Sequence, residues 1–179
     1  PIMKKIDEII VGTNNKGKYR ELRDLLPKKL KIYSPEKFNL HSPEESGKTF
    51  IENSIIKASY YSKKTNLICL ADDSGLEIDI LDGEPGIYSS RWSGEKNNFN
   101  LAIKKIFEKM NNIRSDWEKY SSARFICCMT LYWPGGKSFS STGIIKGKIS
   151  IEKRGENGFG YDPIFIPEGH KKTFAEMDN

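Results

Sequence analysis

Apolar positions along this chain change period several times, and each change predicts an element. Ile6, Ile9, Ile10 and Val11 predict a first strand, and Leu30, Ile32 and Tyr33 a second. Between them Tyr19, Leu22, Leu25 and Leu26 recur at helical spacing among charged residues until Pro27 ends the helix. Thr49, Phe50, Ile51 and Glu52 form a capping box opening a helix to about residue 63, with Phe50, Ile51, Ser54, Ile55, Ala58 and Tyr61 along one side. Leu67 to Ala71 predict a short buried strand, and Leu76, Ile78 and Ile80 alternate with acids in another. Phe99, Ala102, Ile103 and Ile106 give a helix over 98 to about 110. Residues 123–133, the turn Pro134, Gly135 and Gly136, and the return over 137–144 predict an antiparallel hairpin, continued as strand to 151. Ile164, Phe165 and Ile166 close the series.

Between the two central strands stands Leu70-Ala71-Asp72-Asp73-Ser74-Gly75. Adjacent carboxylates at the end of an apolar run repel and lose hydration, so they call for a cation or a tight turn. An Asx-type turn and a divalent-metal site with a general base both fit, and the residues alone do not choose between Asp72 and Asp73. The first strand runs into Gly12-Thr13-Asn14-Asn15-Lys16-Gly17-Lys18, a strand–loop–helix arrangement suited to phosphate. It misses a P-loop because Tyr19 stands where Ser or Thr should bind magnesium. Glu44 and Glu45 precede the second helix, as metal donors or as partners of its dipole. Lys57 and Arg91 are each open between surface and phosphate roles. The second glycine-rich loop, 154–163, places Phe159 and Tyr161 among glycines, as a base-stacking surface or as core filling.

Composition narrows the choice of partner. The 179 residues suit one domain, and no apolar run reaches the ~20 residues of a membrane span. Pro1 to Lys5 lack the apolar core of a leader. Three cysteines without metal spacing suit a reducing, cytoplasmic setting. The net charge of +5 suggests an anionic partner, but the basic residues form no tail or aromatic stripe, so nucleic acid is not expected. Phosphates, carboxylates and no His or Cys cluster together point to Mg2+.

Thr13 to Lys18, Thr49 to Asn53, Ala71 to Leu76, Pro85 to Arg91 and Gly158 to Pro163 occur in the order found in the inosine triphosphate pyrophosphatase family, which the chain resembles over about residues 11–177. The resemblance implies an α/β fold, with a mixed, elongated β-sheet and flanking helices forming two lobes around a nucleotide-binding cleft. It implies a homodimeric hydrolase that converts ITP, dITP and XTP to the monophosphate and pyrophosphate with Mg2+. By position, Thr13, Asn14, Asn15, Lys16, Gly17 and Lys18 would hold the triphosphate. Asp73 would be proton acceptor and, with Glu44, metal ligand; Ser74 would contact substrate; Phe159, Gly160, Tyr161 and Asp162 would line the nucleotide pocket. The sequence is expected to form a single domain, 1–179, without the family's C-terminal helix carrying a Lys and a Ser-His-Arg motif. Alternatives are a pyrophosphatase for other modified nucleotides, a nucleotide or nucleic-acid binding module without turnover, and a phosphotransferase.

Overall fold

A computed structural model describes residues 6–178, so Pro1 to Lys5, read above for a leader, lie outside the described residues. Among the described residues six strands form one mixed sheet: β1 (Glu8–Val11), β2 (Lys31–Tyr33), β3 (Ile68–Ile78), β4 (Ser122–Tyr132), β5 (Ser138–Ile149) and β6 (Phe165–Pro167). Their order is β2-β1-β3-β4-β5-β6. β1 runs parallel to both β2 and β3, while β5 and β6 are antiparallel. The α-helices among the described residues are α1 (Lys16–Asp24), α2 (Phe50–Thr65) and α3 (Phe99–Ile113). None of the described helices is long and apolar enough to cross a membrane.

The chain divides into two compact units, Pro1–Asp73 with Cys128–Thr142 and Ser74–Cys127 with Gly143–Asn179. In the first, side chains of β1 and β3 alternate between two cores, as the pleat requires. Ile9, Val11 and Leu70 pack with Leu22 of α1. Ile10, Cys69 and Ala71 pack with Ala58 and Tyr61 of α2. Burying each large aliphatic side chain here is worth roughly 1.5–3 kcal/mol. The hairpin predicted over β4 and β5 is present: Thr130 meets Ser140 and Cys128 meets Thr142, so partners step in opposite directions, and Trp133 N–H donates to Lys137 O across the turn. In the second unit, Ala102, Ile103, Ile106 and Met110 of α3 pack with Leu76, Ile78, Phe165 and Tyr161.

Three local expectations are corrected. The two strands expected on either side of Asp72 and Asp73 are one, β3, and no turn separates them. The run is buried without a break from Cys69 through Asp73, and that packing outweighs the turn-like composition of the acids. α1 begins at Lys16, so Gly17 and Lys18 belong to its first turn rather than to the loop. Leu25 and Ile51, read on the apolar side of their helices, are 66% and 43% exposed, because only the narrower stripe around Leu22 on α1, and Asn53, Ser54, Ala58 and Tyr61 on α2, faces inward.

Candidate active site

The loop after β1 is shaped by its own side chains. Thr13 Oγ1 accepts the Asn15 N–H (3.1 Å), and Asn15, the N-cap of α1, accepts the Lys18 N–H through Oδ1 at 3.0 Å. Such a cap stabilises a helix by about 1 kcal/mol. Asn14 donates through Nδ2 to Ser42 Oγ (2.9 Å) and to the buried Tyr61 hydroxyl (3.2 Å), tying this loop to the segment before α2. Gly12 is needed for packing: a Cβ there would stand 2.7 Å from both Cys69 Sγ and the Tyr61 ring. Lys16 is exposed, Gly17 half-buried, and the first turn of α1 contains no acid, so its positive end and two lysines favour an anion.

Because neighbours on a strand point to opposite faces, Asp72 follows Leu70 toward α1 and Asp73 follows Cys69 and Ala71 toward α2. Asp72 is 1% exposed and meets Lys18 Nζ at 3.1 Å. Asp73 is 8% exposed, and its Oδ2 makes no hydrogen bond among the described residues. Burial pushes the Asp73 carboxyl up to about 7, with Glu45 and Asp72 pushing the same way and Lys57 and Asn53 opposing.

Lys57, open in the sequence, is an inner residue. It ion-pairs with Glu45 Oε1 at 3.0 Å, and only 15% of its side chain is exposed. Burial works against its charge, but Asp72, Glu45 and Asp73 together hold its pKa above the usual lysine value. Two lysines, Lys18 and Lys57, thus face three carboxylates, and charges balance when Asp73 holds a proton. Asn53 was not singled out from the sequence. It is fully buried and accepts the Gly47 N–H through Oδ1 at 2.8 Å, and its Nδ2 makes no hydrogen bond among the described residues. The polar residues Asn53 and Lys57 stand four apart with Tyr61 on α2; that column within a helix facing the core was the available signal.

Glu44 is exposed, one residue before the half-buried Glu45. Among the described residues no three His, Cys, Asp or Glu side chains gather as a metal-holding group.

The remaining expected positions lie in the second unit. Ser74 is half-buried within β3. Phe159 is 42% exposed, and its N–H donates to Asp162 Oδ2 at 3.1 Å. Gly160 has φ of +66°, which favours glycine. Tyr161 is buried, donates its hydroxyl to Ser89 O (2.5 Å) and meets Phe99 edge-on, so of the two aromatics Phe159 faces solvent.

The Ham1 family matches residues 9–179. The chain belongs to the Ham1 family. It is 40% identical over 173 residues to the dITP/XTP pyrophosphatase of Rhodospirillum centenum, covering 96% of this chain and 84% of that protein. It is 41% identical over 181 residues to the Bacillus cereus dITP/XTP pyrophosphatase, covering 99% of this chain and 87% of that protein. Among solved structures, the HAM1 protein from Coxiella burnetii superposes with a TM-score of 0.85 at 38% identity, over 97% of this chain and 88% of that one. The Mycobacterium abscessus nucleoside-triphosphatase / dITP/XTP pyrophosphatase superposes with a TM-score of 0.78 at 34% identity, over 96% and 89%. The mixed α/β sheet with flanking helices is therefore the Ham1 arrangement, as the resemblance implied.

Proposed function

We propose that this chain hydrolyses non-standard purine nucleoside triphosphates (ITP, dITP and XTP) to the monophosphate and pyrophosphate. The observation that carries the reading is the buried Asp73 carboxyl, whose Oδ2 makes no hydrogen bond among the described residues and whose pKa burial raises to about 7, facing Lys57. A carboxylate poised near the working pH is suited to taking a proton from water. The names of the Ham1 relatives, dITP/XTP pyrophosphatases, support the substrate class.

In this reading Lys16, Lys18 and the amides opening α1 hold the triphosphate. Asp73 accepts the proton of the water that attacks the α-phosphorus, and the departing pyrophosphate takes the electron pair of the broken α–β anhydride bond. Lys57 keeps negative charge tolerable beside Asp73. The donors at hand are hard carboxylate oxygens, which suit Mg2+ bound by one or two carboxylates and substrate phosphates. Asp73 Oδ2 makes no hydrogen bond among the described residues and would be one ligand, and Glu44, exposed before α2, would be the second. Bound Mg2+ would supply neutralisation of the phosphate charge. Phe159 offers its exposed ring to a base, beside Asp162. We also place the protein in the cytoplasm, where its three cysteines stay reduced, and as a homodimer covering Ile144 and Ile145 of β5, which are 55% and 48% exposed.

The test is pyrophosphate release from ITP, dITP, XTP, ATP and GTP with and without Mg2+. Mg2+-dependent release from the first three, lost in Asp73→Asn, is expected. Equal rates on all five would remove the proposed selectivity, and binding without turnover would leave a nucleotide-binding protein.

A further inference from the structure

The loop that carries Phe159 is held by a second piece of chain that the proposed chemistry does not use. Arg154 N–H donates to Pro163 O at 2.9 Å and closes the loop at its base. Residues 173–177 then fold back along its first half. Thr173 Oγ1 donates to Arg154 O (2.6 Å), Asn157 N–H donates to Ala175 O (2.9 Å), and Asn157 Nδ2 donates to Met177 O (2.9 Å). Gly155, at φ +89°, lies so close that a Cβ would stand 2.3 Å from the Ala175 carbonyl. No larger residue fits there without moving this turn.

One side chain joins the two segments. Glu176 Oε1 accepts the Thr173 N–H at 3.0 Å, completing a capping box, and also meets Arg154 Nε at 3.2 Å. Arg154 Nη2 continues to Lys171 O at 2.9 Å. The second half of the loop is fixed separately: the Asp162 carboxylate holds Phe159 N–H, and a Cβ on Gly158 would stand 2.1 Å from Asp162 Oδ2. Between these two clamps Phe159 remains the exposed large side chain. Three glycines at positive φ, Gly155, Gly158 and Gly160, would otherwise give this stretch wide conformational freedom.

We infer that the 173–177 turn is a strap that pre-orders the Phe159 loop, with Glu176 as its positioning residue acting through Arg154. This rests on the proposed reading of Phe159 as the base-facing ring. Arg154 and Glu176 side chains are 36% and 28% exposed, and an ion pair that open contributes little to global stability. Its effect is local: it removes loop conformers that a nucleotide would otherwise have to freeze on binding.

The experiment compares Glu176→Gln, which keeps an acceptor for the Thr173 N–H, with Glu176→Ala, Arg154→Met and Arg154→Lys. Two readouts are taken: steady-state kinetics on dITP with Mg2+, and hydrogen exchange over residues 155–160. Glu176→Gln and Arg154→Met are expected to raise KM by roughly two- to tenfold with kcat within about twofold, and to speed exchange across the loop. Arg154→Lys restores part of the loss. In a Phe159→Ala background the Glu176→Gln effect on KM shrinks toward none, because the ring being positioned is gone. Unchanged exchange in Glu176→Gln and Glu176→Ala overturns the strap. So does an undiminished KM effect in the Phe159→Ala background, which would make Glu176 act elsewhere. If the unaltered protein turns over no nucleotide, the reading of function fails, and exchange alone still decides whether the strap orders the loop.

Discussion

Asp72 and Asp73 are neighbours in sequence, yet the two faces of β3 give them opposite surroundings. On the α1 face Asp72 lies 3.1 Å from Lys18, at the first turn of a helix capped by Asn15. On the α2 face Asp73 has Lys57 and Asn53 near it, but one oxygen makes no hydrogen bond among the described residues and burial pushes the pKa up to about 7. One residue of register decides which carboxylate pairs directly with Lys18 and which is buried beside Lys57 with its pKa raised. A paired carboxylate serves as structure and local charge. One held at the edge of ionisation, at a cost in stability, is what proton transfer needs.

The sharpest way to break this contrast is to neutralise each acid in turn. Asp73→Asn keeps the shape and removes the base, so turnover should fall by roughly 10²–10⁴-fold while the fold persists. Circular dichroism and pyrophosphate release on the same sample check it. Full activity in that variant would transfer the role to Asp72 or elsewhere.

Removing the cation on the other face should act on stability. Lys18→Met leaves Asp72 buried without its ammonium partner, a change expected to destabilise by about 3 kcal/mol. Replacing both, Lys18→Met with Asp72→Leu, should recover part of that loss in urea unfolding. A loss that is the same in both variants would show that the pair is not what matters on the α1 face.

Much of this was legible in the chain. The strand–loop–helix at Thr13 to Lys18, the cap at Thr49 and the hairpin turn at Pro134 to Gly136 follow from local rules, which need few neighbours. What was missed depended on tertiary context. Asp72, Asp73, Ser74 and Gly75 have turn composition, and their inclusion in one strand goes with burial that runs on past the three residues paired to β1. Lys57 and Asn53 look like surface polar residues until α2 is laid against β3. Leu25 and Ile51 obey helical spacing but lie at the edge of stripes too narrow to cover them. Tyr161 and Phe159 were indistinguishable by composition, and only packing against Phe99 buries one and leaves the other open.

A gentler probe of the same contrast is pH. In the metal-free protein the folded state holds the Asp73 proton up to about pH 7, whereas the unfolded chain releases it near the ordinary 3.8. Between those values the folded form binds more protons, so stability should fall as pH rises and level off above about 7. A decline of roughly 2 kcal/mol from pH 5 to pH 7 is expected, absent in Asp73→Asn, which should then be the more stable protein at pH 8. Parallel curves for the two proteins would show that Asp73 titrates normally and that burial does not poise it.

The smallest effect separates the two helices themselves. Thr49 Oγ1 accepts the Glu52 N–H at 3.1 Å, while Glu52 reaches back to Lys48 N–H at 2.7 Å, one residue earlier than the capping box read from the sequence. Thr49→Ala and Asn15→Ala should each cost about 1 kcal/mol, one at the start of α2 and one at the start of α1. Hydrogen exchange should localise them: Thr49→Ala quickens residues 50–54, beneath the Asp73 face, and leaves 16–20 as they were, while Asn15→Ala does the reverse. If one cap loosened both helices, the surroundings of Asp72 and Asp73 would be mechanically one, and their division of labour would rest on charge alone.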